Sequence, residues 1–159
     1  MKRWPGLALA AAAALACAAP ASAATILATH SSRLFTRHGS VFASSNSRKK
    51  PFRLGSARAV SLPALTSSYA ALAVGASVRS INLSTGAMLR FRGPATDLVL
   101  ASDGSLAWIA RHELHRYNVG DNADTVVDSG QDIQPRSLAL AGRTIYWTKG
   151  SQPFSAPLR

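Results

Sequence analysis

Leu98-Val99-Leu100-Ala101-Ser102-Asp103-Gly104-Ser105-Leu106-Ala107-Trp108-Ile109-Ala110 reads as strand, turn, strand. Leu98 to Leu100 is a short apolar run. Ser102-Asp103-Gly104 is a turn signal, because Asp bonds its own backbone and Gly supplies positive φ. Leu106, Trp108 and Ala110 then alternate with Ala107 and Ile109, the period of a strand. Downstream, His112-Glu113 turns the chain again, and Leu114 and Tyr117 lie in a third strand. Asn118 to Asn122 is a loop, and Thr125-Val126-Val127 makes a fourth strand. Four short strands separated by Gly, Asp and Asn turns form one antiparallel unit.

The unit recurs on both sides. Downstream, Ser137 to Leu140, Thr144 to Trp147 and a strand around Phe154 are spaced by Ala141-Gly142-Arg143 and Gly150. Trp108 and Trp147 stand 39 residues apart, and Leu114 and Phe154 stand 40 apart. Upstream, Leu72 precedes Trp108 by 36, and Phe35, Val41 and Phe52 precede Leu72, Val78 and Leu89 by 37 each. A fixed period of this length marks a repeat architecture. The copies fall at about 24–56, 57–95, 96–134 and 135–159. The uncharged stretch between Arg58 and Arg79 is long enough to span a membrane, but Pro63 and Thr66-Ser67-Ser68 divide it into two strands and a turn.

Leu100-Ala101-Ser102-Asp103-Gly104-Ser105-Leu106-Ala107 resembles the strand-turn-strand of bacterial WD-like β-propellers, without their usual Pro. Ile81-Asn82-Leu83-Ser84-Thr85-Gly86 resembles the Asp-Leu-x-Thr-Gly turn of quinoprotein-like and YVTN-type blades, with Asn82 in place of Asp. The resemblance implies an all-β fold of β-propeller-like repeats of about 36–40 residues, three to four blades, after a helical signal segment. It implies blades and no particular activity. The last copy stops after its third strand. A closed four-bladed ring, an open arc completed by self-association through its strand edges, and a partial propeller without independent activity all remain open.

Residues 1–23 read as a secretory signal peptide. Lys2 and Arg3 precede an uncharged run from Leu7 to Ala19, then Pro20 and the small-residue site Ala21-Ser22-Ala23. Ala14-Leu15-Ala16-Cys17 is a looser lipoprotein-like alternative. Cleavage after Ala23 removes Cys17, the single cysteine, so the remaining chain has no disulfide or thiolate. The expected location is secreted, periplasmic or otherwise in the cell envelope.

Charge is uneven. Residues 24–96 hold ten Lys and Arg and no Asp or Glu, whereas 97–159 hold six and all seven acids. A one-sign field attracts anionic partners. Its densest cluster, Arg48-Lys49-Lys50 with Arg53 around Pro51 and Phe52, is the candidate anion-binding site. The partners this implies are anionic lipid or cell-wall polymer; export argues against nucleic acid. The competing readings are a solvated loop beside an edge strand, and the Ala/Arg/Gly/Leu/Ser bias of GC-rich coding. Arg111, Arg136 and Arg143 lie among acids expected to offset them.

No catalytic, cofactor or metal site is assigned. His112 and His115 are three apart, but on a strand they point to opposite faces. Asp121, Asp124, Asp128 and Asp132 lack the spacing of a calcium loop. No Gly-x-Ser-x-Gly elbow or phosphate-binding Gly loop is present. Trp108, Trp147 and Tyr146 occupy recurring strand positions, where packing between blades is expected. The functional expectation is an exported, non-enzymatic repeat protein offering a binding or scaffolding surface. The alternative is an exported propeller hydrolase or lyase with its site at the ring centre.

Overall fold

The computed structural model describes residues 23–158, so all but the last residue of the proposed signal segment lies outside the described residues. Fifteen strands form four antiparallel sheets of consecutive strands. The first holds β1 (Ala24–Ala28), β2 (Ser32–Arg37), β3 (Ser40–Ser45) and β4 (Phe52–Ser56). The second holds β5 (Val60–Leu65), β6 (Tyr69–Val74), β7 (Ser77–Asn82) and β8 (Met88–Arg92). The third holds β9 (Ala95–Leu100), β10 (Leu106–Ala110), β11 (Glu113–Asn118) and β12 (Ala123–Ser129). The fourth has three: β13 (Ala139–Ala141), β14 (Thr144–Lys149) and β15 (Gln152–Pro157). The leading strands β1, β5, β9 and β13 touch in succession and form the inner side of the row. The stretch between Arg58 and Arg79 is β5 and β6, as its Pro and Ser break requires. Pro63 sits where the β5–β6 register shifts, at a leading edge where a missing N–H is tolerated.

The two turn motifs work as their residues dictate. Asp103 accepts a hydrogen bond from the Ser105 amide at 2.9 Å, and Gly104 takes φ +93°. Asn82 does what Asp does in the resembling turn: its Oδ1 accepts from the Ser84 and Thr85 amides at 2.9 and 3.1 Å. Gly86 closes that turn at φ +82° and donates to the Asn82 carbonyl at 2.8 Å.

Each sheet packs on the next through one recurring position. Phe35, Leu72, Trp108 and Trp147 all lie two residues before the end of their sheet's second strand, in equivalent register with the third. Leu72 packs on Leu34, Val41, Ala43 and Leu54 of the first sheet. Trp108 packs on Val78 and Phe91 of the second. Trp147 packs on Ala107, Ile109 and Leu114 of the third. The position therefore faces the preceding sheet. Three of the four also stack on their cross-strand partner: Phe35 on Phe42, Trp108 on His115 and Trp147 on Phe154, with ring centroids 5.7, 5.0 and 5.9 Å apart. Among the described residues, no hydrogen bond, ion pair or hydrophobic cluster joins the fourth sheet to the first.

This register corrects two expectations. Phe154 corresponds to His115, not to Leu114, so the 40-residue offset is one too long; a one-residue slip puts a side chain on the opposite face. Trp108 and Trp147 are buried between sheets as expected, but Tyr146 is 44% exposed. As Trp147's neighbour it must point forward, away from the third sheet.

Candidate functional site

The rear face of the first sheet, turned away from the second, carries a basic cleft of about 400 Å³. Three segments converge on it. The β1–β2 turn brings Thr29 and His30, β2 brings Arg33 and Phe35, and the β3–β4 loop brings Asn46, Arg48 and Lys49. Thr29 fixes the first turn: its Oγ1 accepts from the Ser32 amide at 3.0 Å. Asn46 ties the third segment to the first, donating its amide to the Ser31 carbonyl at 2.8 Å. Arg33 lies over the Phe35 ring at 5.0 Å and donates Nε to Ser44 Oγ at 3.2 Å. The stacking and the hydrogen bond hold the guanidinium at the cleft.

The four basic residues singled out in sequence do not act together. Arg48 lies over the Phe52 ring at 4.7 Å and donates to the Thr85 carbonyl of the second sheet at 3.1 Å. It is both a cleft residue and a clasp between sheets. Lys49 lines the cleft, and Lys50 lies beyond its lining. Arg53 leaves the cluster, donating Nε to Ser40 Oγ at 3.1 Å. His30 and Arg33 join instead; neither lies in a basic run, and only the β2–β3 register, which sets Arg33 opposite Ser44, could have found the second. No carboxylate lines the cleft, and the sequence has no Asp or Glu between 24 and 96.

The acids instead join the third and fourth sheets. Asp128 accepts from the Trp147 indole N–H at 2.9 Å and from Lys149 Nζ at 2.8 Å. Burial alone would push its carboxyl up. The Lys149 and Trp147 hydrogen bonds, the Ser129 amide and the Lys149 charge outweigh burial and hold it below the usual carboxylate range. Lys149 is raised in turn, chiefly by its bond to Asp128. Asp103 pairs with Arg143 at 2.8 Å, while Arg111 and Arg136 have no such partner among the described residues, contrary to the expected offsetting. His115 lies flat on Trp108, with Nε2 3.3 Å from Glu113 and Nδ1 3.6 Å from Asp124. His112 sits apart in the hairpin at φ +64°. Among the described residues no three His, Asp or Glu stand close enough to share a metal ion.

On the inner side, a cavity of about 560 Å³ is lined by Ser61, Leu62, Ala95, Thr96, Pro135 and Arg136. Arg136 is the one ionisable group in that lining.

No protein-family model matches the chain, and no curated protein matches it in sequence. Solved structures do match in shape. Kluyveromyces lactis Hsv2 aligns with TM-score 0.55 and 12% identity over 83% of this chain and 54% of that one. The form with a complete loop 6CD gives TM-score 0.55 and 7% identity over 87% and 49%. The extracellular domain of BT4673 from B. thetaiotaomicron gives 0.53 and 10% over 83% and 20%. At these identities the likeness establishes the fold alone: an all-β, β-propeller-like row of blades. The chain spans about half the length of the Hsv2 chains it matches.

Proposed function

We propose that this is an exported, non-enzymatic blade protein that binds anionic envelope components through the rear cleft of its first sheet. The observation that carries the reading is the lining of that cleft: Arg33, Arg48, Lys49 and His30 around Phe35, with no carboxylate. Export rests on the Lys2-Arg3, Leu7 to Ala19 and Ala21-Ser22-Ala23 order. It is supported by one neighbour being an extracellular domain. The partner class is anionic lipid or acidic cell-wall polymer. The inner cavity, with Arg136 as its ionisable group, favours this over a hydrolase or lyase reading.

Vesicle sedimentation tests it. Binding to phosphatidylglycerol vesicles at low salt, absent with phosphatidylcholine and weakened by added salt, is expected. Each cation near an anionic surface contributes about 1 kcal/mol. Arg33→Ser with Lys49→Ser and Lys50→Ser should therefore weaken binding roughly 100-fold. Equal binding by parent and triple variant, or none at low salt, sinks the reading.

A second reading, self-association, is favoured by the forward face of the fourth sheet. There Tyr146 is exposed beside Ala139 and Ser155, its cross-strand partners. The occupant proposed is the rear face of a second copy's first sheet, repeating the joint that each internal pair of sheets makes.

A further inference from the structure

Beyond the first-sheet cleft, we infer a second and smaller ligand site at the joint between the second and third sheets, suited to a hydroxycarboxylate such as a sugar acid. The end of β8 meets the end of β10 so closely that a Cβ on Gly93 would stand 3.4 Å from the Ala110 Cβ. That approach brings their chain neighbours, Arg92 and Arg111, onto one open cavity of about 380 Å³, with Glu113 and His115 in its wall. Arg33, Arg48, Arg53, Arg79 and Arg143 all donate to protein groups. Arg92 and Arg111, like Arg37, Arg58, Arg90 and Arg136, have no ion pair among the described residues; these two are set apart by lining one cavity.

The hairpin that presents Arg111 is built against local preference. The equivalent two-residue turns contain Gly39, Gly75 and Gly150, all at positive φ. Here Arg111 and His112 hold φ +52° and +64° without a glycine. Side chains with a Cβ occupy that region at a cost, and such outliers gather at ligand sites. Two unpaired guanidiniums offer paired donors to one carboxylate. Glu113, held 3.3 Å from His115 Nε2, adds an acceptor. An acceptor beside two cations suits a ligand carrying hydroxyl donors next to its carboxylate. It opposes inorganic phosphate, whose second charge would face Glu113.

Glucuronate titrated into the full chain, followed by tryptophan fluorescence, tests the inference, since Trp108 stacks on His115 in the cavity wall. Saturable change with glucuronate is expected, and none with glucose. Arg92→Ser should weaken binding at least about tenfold, as expected for loss of a charge-assisted hydrogen bond. Arg111→Gly should weaken it as much while raising the melting midpoint by about 2–4 °C, because glycine relieves the turn. Arg33→Ser with Lys49→Ser should leave glucuronate binding intact, which separates this site from the first-sheet cleft. Equal response to glucose, tighter binding of phosphate, or unchanged binding in both arginine variants would overturn the assignment.

Discussion

Replacing each joint tryptophan by phenylalanine and by alanine should separate the packing of each joint from the bonding of its indole N–H. Trp108 is fully buried between Phe91, Tyr117 and His115, and its Nε1 has no hydrogen-bond partner. Trp147 is 5% exposed, and its Nε1 donates to Asp128 at 2.9 Å. Truncation to alanine should cost about 3–5 kcal/mol at Trp108 through the cavity it leaves. At Trp147 the packing loss should fall nearer 3, because its stacking partner Phe154 is 43% exposed, but the lost bond to Asp128 adds about 1.5–3, for a total of about 4.5–6. Phenylalanine isolates the indole N–H. At Trp108 it loses about 1–2 kcal/mol of packing but removes a buried, unsatisfied N–H whose desolvation costs about 1–3, for a net near zero. At Trp147 it loses about 1 kcal/mol of packing and also a hydrogen bond to a charged group worth about 1.5–3, for a net of about 2–4. Urea unfolding of the four variants measures all of this. If Trp108→Phe costs as much as Trp147→Phe, the indole bonding assigned to both joints is wrong.

Asp128 is depressed, so its contribution to stability is present above its unfolded value near 3.8 and lost as pH falls through the lower folded value; Asp128→Asn should flatten unfolding midpoints across that acid range. Lys149 is raised, so its contribution holds below 10.5 and is lost as pH climbs through the folded value, a loss that Lys149→Met should abolish in alkaline melts. Gly104→Ala should destabilise by about 2–4 kcal/mol in urea, since φ is +93° and the new Cβ would lie 2.6 Å from the Tyr69 ring. Gly142→Ala, with open space around it at φ +60°, should cost only about 1–2.

The blades were legible because strand alternation and turn chemistry are local. Ser102-Asp103-Gly104 and Asn82 to Gly86 each satisfy their own backbone within a few residues, so the sequence alone marks them. The joints were half legible. Trp108 and Trp147 announce a recurring buried position by size, but Tyr146 beside Trp147 looks the same in sequence. Only the presence of a sheet ahead of it could decide its burial. The cleft was legible as a charge run and misread as a set. Arg48-Lys49-Lys50-Arg53 are neighbours in sequence, yet Arg53 turns to Ser40 while Arg33, fifteen residues before Arg48, comes in through β2–β3 pairing. Arg111 looked neutralised by nearby acids in sequence. In space Glu113 and Asp124 turn to His115, and Asp128 to Lys149.

How copies of this chain would meet depends on which surface of the fourth sheet is permissive. Among the described residues its outer strand β15 has no partner beyond it and would template strand addition. The Leu158 amide donates to the Arg143 carbonyl at 2.8 Å, which fixes the alternation: amides of even-numbered residues in β15 point at β14, and odd ones point outward. Pro153 and Pro157 occupy two of the three outward positions and supply no N–H, leaving Ser155 alone to donate. That edge is guarded, so self-association should run through sheet faces, with Tyr146 at the contact. Sedimentation velocity over a concentration series separates the routes. Tyr146→Asp should abolish concentration-dependent association, and Pro157→Ala, which restores an outward donor at the edge away from Tyr146, should leave it unchanged. The opposite pattern would assign association to the edge, and a single monomeric species at every concentration would end the self-association reading altogether.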